Sequence, residues 1–195
     1  MQKRHIITIC GVLGSGKSTA AKRVSAALGY PHFSAGDFMR EMAKERGISL
    51  AELGPLAESD PEIDKEIDRR QKNYMDTHDN FVIDSRLGWY FAPDSFKVFL
   101  SLDNQTSAER VFADLNSKNS ARFGETVTQV QSIEDLKKKQ ADRLRSENAR
   151  YKEYYDIDDM FDLDHFDLII DTKINNPDAV EKLILEGYKK WQETN

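Results

Sequence analysis

Five short apolar runs interrupt an otherwise polar chain: HIITIC (5–10), PHFS (31–34), FVID (81–84), FKVFLSL (96–102) and DLIID (167–171). Most are continuously apolar rather than alternating, which is the pattern of strands buried on both faces of a parallel sheet. Between them the apolar positions recur at helical spacing. Residues 16–28 place Ala20, Val24, Ala27 and Leu28 on one face, with Gly29 following as a C-terminal cap. A second helix covers 37–46 and stops at Gly47. Ser49 and Glu52 have the spacing of a capping box, and Asp60-Pro61 puts proline at the first position of another helix. Residues 106–118 and 133–155 are polar and strongly helical. A last helix opens at Asn176-Pro177 and carries Val180, Leu183, Ile184, Tyr188 and Trp191 on one side. Strand then helix, repeated, predicts an α/β domain built on a five-stranded parallel sheet flanked by helices.

The length of 195 residues suits one such domain over 1–195 and allows a sizeable core. A net charge of −6 argues against a general nucleic-acid surface, so any anion must be held by local clusters of Arg, Lys and backbone N–H groups. The single cysteine, Cys10, excludes a disulfide within the chain and reads as a small core residue. No apolar run approaches the ~20 residues needed to cross a bilayer, and the first ten residues are too short of apolar positions for a signal-peptide core. The expectation is a cytoplasmic monomer with no membrane partner. The acidic stretch DIDDMFDLDHFD (156–167) lacks the glycine and terminal glutamate of a calcium loop and reads as a solvated connection. The four histidines show no metal-ligand spacing, and WYF (89–91) reads as packing.

The most informative stretch is GVLGSGKST, from Gly11 through Val12, Leu13, Gly14, Ser15, Gly16, Lys17 and Ser18 to Thr19. It fits G-x-x-x-x-G-K-[ST], follows a strand and opens a helix, as a phosphate-binding loop must. Its glycines let backbone N–H groups point at phosphate oxygens, and the helix start adds a positive dipole end. Lys17 can reach the β- and γ-phosphates of a nucleoside triphosphate, and the Ser18 hydroxyl can ligate Mg²⁺. GTPases, ATPase motors and small-molecule kinases all share such a loop. The second strand ends in Ser34, Asp37 and Arg40, a set that suits a phosphomonoester beside the nucleotide, because arginine matches phosphate with a planar fork of donors. The third strand ends at Asp84, placed to orient Mg²⁺ through water, followed by Arg86, which can grip the acceptor phosphate or the group in transfer.

The stretches ITICGVLGSGKSTAAK, SAGDFMREMAKERGISLAEL, AESDPEIDKEIDRRQ, VIDSRLGWY, SAER, ENARYKEYYDIDD and FDLIIDT run in order over nearly the whole chain. With them the sequence resembles nucleoside monophosphate kinases, most closely the archaeal-type cytidylate kinases. The resemblance implies a P-loop NTPase fold with an acceptor-binding flap (about 37–77) and a lid (about 112–142). It also implies ATP- and Mg²⁺-dependent phosphoryl transfer to CMP or dCMP, with small nucleotides as the only partners. The competing readings are a kinase of the same fold for AMP or another small acceptor, and a nucleotide-binding module without turnover. By the resemblance, Gly16, Lys17 and Ser18 belong to the ATP-phosphate loop, Arg40 and Arg86 to the acceptor phosphate, Arg110 to the adenine, and Arg143 and Arg150 to the lid side. The last two are seven residues apart and face one way on a helix. A reader of cytosine must accept from N4 and donate to N3 or O2. Asp64, Asp68 and Arg69 on the flap are candidates, with a pair between Asp68 and Lys72 as the plainer alternative. Two features depart from the group's pattern: Ser85 stands where glycine is expected, and the segment 115–132, with Arg122, is longer than a short lid.

Overall fold

A computed structural model describes residues 4–117 and 130–194. Arg122 and most of the segment 115–132 lie outside the described residues. Five parallel strands form one sheet in the order β2-β3-β1-β4-β5: β1 (Ile6–Gly11), β2 (His32–Ser34), β3 (Phe81–Asp84), β4 (Phe96–Ser101) and β5 (Leu168–Asp171). The helices are α1 (Lys17–Leu28), α2 (Ala35–Glu45), α3 (Leu50–Ser59), α4 (Pro61–Thr77), α5 (Gly88–Phe91), α6 (Asn104–Leu115), α7 (Ile133–Tyr155) and α8 (Pro177–Thr194).

The continuously apolar strands feed two cores, one on each sheet face. Ile6, Cys10, Phe81, Ile83 and Phe99 pack with residues of α2, α4, α5 and α7. Ile7, Ile9, Val82, Val98 and Leu100 pack with Ala20, Ala21 and Val24 of α1 and with Val180, Ile184 and Tyr188 of α8. Neighbouring residues along a strand point to opposite faces, so both sets must be apolar. Cys10 is the buried core residue that its neighbours suggested.

Several boundaries differ from the expected ones for identifiable reasons. Helix α2 starts at Ala35, not at 37, because Ser34 is the N-cap and Asp37 closes a capping box with it. Helix α6 starts at Asn104 because Asp103 caps it, accepting from Thr106 N at 2.9 Å. In α1 the buried face is Ala20, Ala21, Val24 and Ser25, and Ala27 is exposed. In α8 the buried line Val180–Ile184–Tyr188 leaves Leu183 on the solvent side. The acidic connection after α7 is solvated at Asp156 and Asp158, yet Ile157 and Met160 anchor it in the core. Within WYF, Trp89 and Phe91 are buried while Tyr90 is exposed.

Candidate active site

A parallel sheet brings the ends of all its strands to one edge, and every residue nominated for chemistry except those on α4 and α7 follows such an end. Register fixes the neighbours: Ile9 of β1 lies opposite Asp84 of β3, and Ser34 of β2 lies opposite the same Asp84. The glycine-rich loop leaves β1, on the opposite side of β3 from β2. Gly11 is required by close approach, since a Cβ there would meet Leu100 O at 2.4 Å. Gly14 and Gly16 adopt left-handed backbone, with φ of 77° and 85°, which turns the chain into α1. The loop is braced from behind by Ser107 of α6, whose hydroxyl donates to Leu13 O at 2.6 Å. Lys17 Nζ folds over the loop and donates to Gly11 O and Val12 O at 2.8 and 2.9 Å.

Ser18 Oγ donates to Asp84 Oδ2 at 2.5 Å, and the other carboxylate oxygen, Oδ1, lies 2.9 Å from His32 Nε2. Asp84 is buried at the sheet edge. A hydroxyl and a carboxylate in contact supply the hard oxygen donors that Mg²⁺ prefers when it is also held by substrate phosphates. These two residues therefore fit that ion. Beside the loop, a cavity of about 390 Å³ opens between Ser15, Gly16 and Thr19 and the β5–α8 connection, Thr172 to Pro177. Arg110 forms one wall and is fixed there by donating to Thr172 O at 2.8 Å.

On the other side of Asp84, Ser34 and Asp37 spend their polar atoms on the cap: Ser34 Oγ donates to Asp37 Oδ2 at 2.7 Å. Asp37 also takes Arg40 at 2.6 Å. Burial opposes ionisation of Asp37, but Arg40 and Ser34 outweigh it and hold its carboxyl below the usual range. The Arg40 guanidinium remains largely exposed. Arg86 is covered and lies 2.8 Å from Glu147 of α7, whose second oxygen takes Arg143 Nε at 2.9 Å. One buried carboxylate thus joins two of the nominated arginines. Arg150 pairs with Asp64 of α4. Burial works against the Arg150 charge, but Tyr151, Asp64 and Glu147 prevail and raise its pKa. Asp68 accepts from Tyr155 OH at 3.0 Å and from Gln71 Nε2 at 3.3 Å. Burial pushes its carboxyl up to about 6. Gln71 in turn accepts from the Ser85 hydroxyl at 2.6 Å, so the residue standing in place of the expected glycine has a buried partner.

Two expectations need correcting. Lys72 pairs with Asp76, one turn further along α4, and not with Asp68. Arg69 points to solvent and pairs with Glu66 on its own helix, so the fold does not bring it to the other nominated residues. Sequence reasoning missed Glu147, His32, Gln71 and Tyr155. Glu147 stands four residues after Arg143, a readable helix pair. His32 stands two before Ser34, on the same strand face. Arg150 and Tyr155, which pair with Asp64 and Asp68, lie 86 and 87 residues away and leave no local trace.

Comparison with known proteins identifies the family. A family model described as the cytidylate kinase-like family matches residues 6–174. A cytidylate kinase from Natronomonas pharaonis is 36% identical over 181 residues, 92% of this chain and 86% of that protein. One from Thermoplasma volcanium is 36% identical over 183 residues, 92% of this chain and 88% of its own length. Among solved structures, a shikimate kinase from Bacteroides thetaiotaomicron aligns with a TM-score of 0.63 at 16% identity over 96% of each chain, a likeness of fold.

Proposed function

This chain belongs to the cytidylate kinase-like family and is a nucleoside monophosphate kinase, and we propose that it transfers the γ-phosphoryl group of ATP to CMP or dCMP across the sheet edge just described. The observation that carries this reading is a complete phosphate-binding loop at the same sheet edge as Arg40, which follows β2, and Arg86, which follows β3. The acceptor is itself an anionic phosphate, so positioning and charge neutralisation suffice and no general base is needed. An alcohol acceptor would need a carboxylate base and would not need both arginines.

ATP lies with its phosphates on the loop from Gly11 to Thr19 and its base in the cavity walled by Arg110. Lys17 exchanges its loop carbonyls for phosphate oxygens and neutralises charge as the bond to the leaving ADP lengthens. Ser18, with Asp84, would hold Mg²⁺, which would supply further neutralisation of the triphosphate. Arg40 and Arg86 hold the acceptor phosphate in line. Arg143 and Arg150, on the same helix, add positive charge around the transferring group once phosphates displace Glu147 and Asp64. Closure over the bound nucleotides would exclude water and limit wasteful hydrolysis.

Base choice belongs to the α4–α7 seam, where a carboxylate at Asp64 or Asp68 would accept from cytosine N4 and repel the corresponding oxygen of uracil. On that reading Asp64→Asn or Asp68→Asn lowers the CMP-over-UMP ratio of kcat/KM by about 1–3 kcal/mol with ATP parameters unchanged. An unchanged ratio in both variants would move base reading elsewhere.

The function itself is tested by coupled measurement of ADP release with ATP and each of CMP, dCMP, UMP, AMP, GMP and dTMP. CMP or dCMP is expected to give the highest kcat/KM. A preference for AMP, or release that no monophosphate stimulates, would overturn the assignment.

A further inference from the structure

We propose that His32 is a positioning residue that holds the Asp84 carboxylate toward the Mg²⁺ of the donor nucleotide; the inference rests on the reading of Asp84 given above. An ionised carboxylate can only accept, so the 2.9 Å contact between His32 Nε2 and Asp84 Oδ1 requires the proton on Nε2. His32 therefore donates. Both side chains are largely covered, at 14% and 6% exposure. The contact is thus poorly exchangeable with water, and losing it leaves a buried oxygen without its donor.

The carboxylate torsion of an aspartate is broad and soft, so burial alone does not fix which oxygen faces the loop. Among the described residues, Ser18 donates to Oδ2 of Asp84 and His32 contacts Oδ1. The Ser18 hydroxyl can offer a lone pair to the metal and still donate its proton to Oδ2, so it fixes one carboxylate oxygen and leaves the other to His32. His32 reaches Asp84 because β2 is hydrogen-bonded to β3 in parallel, with His32 opposite Val82 and Ser34 opposite Asp84. The imidazole therefore approaches Oδ1 from the neighbouring strand and leaves Oδ2 turned to Ser18. Groups that orient a metal-binding side chain in this manner typically change metal affinity by about 10–100-fold when removed.

The test is Mn²⁺ binding in the presence of ADP, followed by electron paramagnetic resonance, for the native chain, His32→Leu, His32→Gln and Asp84→Asn. His32→Leu is expected to weaken Mn²⁺ about 10–100-fold, with KM for CMP within about twofold of native. His32→Gln, whose amide N–H has similar reach, is expected to restore most of the loss. If His32→Leu retains the native circular dichroism and binds Mn²⁺ as the native chain does while Asp84→Asn binds weakly, the role of His32 is overturned and that of Asp84 stands. If Asp84→Asn binds as native, the underlying reading of Asp84 fails. If His32→Gln is as impaired as His32→Leu, His32 acts through shape and the inference is overturned.

Discussion

Lys17 spends its three N–H donors partly on the carbonyls of Gly11 and Val12, within its own loop. An ammonium parked over a phosphate-binding loop has partners that a triphosphate can replace, at little cost in reorganisation. Removing it should affect the transition state more than binding, because backbone N–H groups still cradle the phosphates. Lys17→Ala is expected to lower kcat by at least ~10²-fold while ATP binding falls less, as read by steady-state kinetics beside calorimetric titration. Turnover near the native rate in a folded variant would remove the loop from the chemistry. At this scale the loop was legible because its residue types are dictated locally: Gly where φ is positive, Lys and Ser at fixed offsets. Glu147 was less legible, since its importance comes from Arg86, 61 residues earlier, as well as from Arg143 on its own helix.

The α4–α7 seam is held by polar side chains that are largely shielded: Asp64 with Arg150, and Asp68 with Tyr155 and Gln71. Burial is the main reason that the Asp68 carboxyl sits at about 6, with Asp64 adding to it and Tyr155 and Arg150 opposing. The unfolded chain releases this proton near pH 4, so between about pH 4 and 6 the folded state holds a proton that the unfolded state has lost. Ionised Asp68 therefore costs stability above about pH 6, and the cost fades as pH falls through that window. Relative to the native chain, Asp68→Asn is expected to be about 2 kcal/mol better placed at about pH 7.5 than at about pH 4.5, measured by urea unfolding. A difference that does not change with pH would contradict the burial of a charged Asp68. Helix existence was readable from periodicity and caps: α7 spans the 133–155 that its pattern indicated. Helix pairing was not, because α4 and α7 meet through charges whose partners no local rule supplies.

Across the whole molecule, one physical fact carries the site from sequence to function. The central strands are apolar on both faces and anchor a five-stranded parallel sheet, which delivers the loop after β1, Ser34 at the end of β2, and Asp84 and Arg86 at the end of β3 to one edge. On the proposed reading the donor phosphates are held by the loop and α1, and the acceptor phosphate by Arg40 from α2 and Arg86 from the β3–α5 turn. That division is the central claim, and the kinetics of Arg40→Ala and Arg86→Ala with both substrates varied test it most directly. Each charge-assisted contact to phosphate is worth ~1.5–3 kcal/mol, so KM for CMP is expected to rise about 10- to 100-fold in each variant, with KM for ATP within about twofold of native. A rise confined to ATP would contradict the account and place donor and acceptor on opposite sides from those assigned.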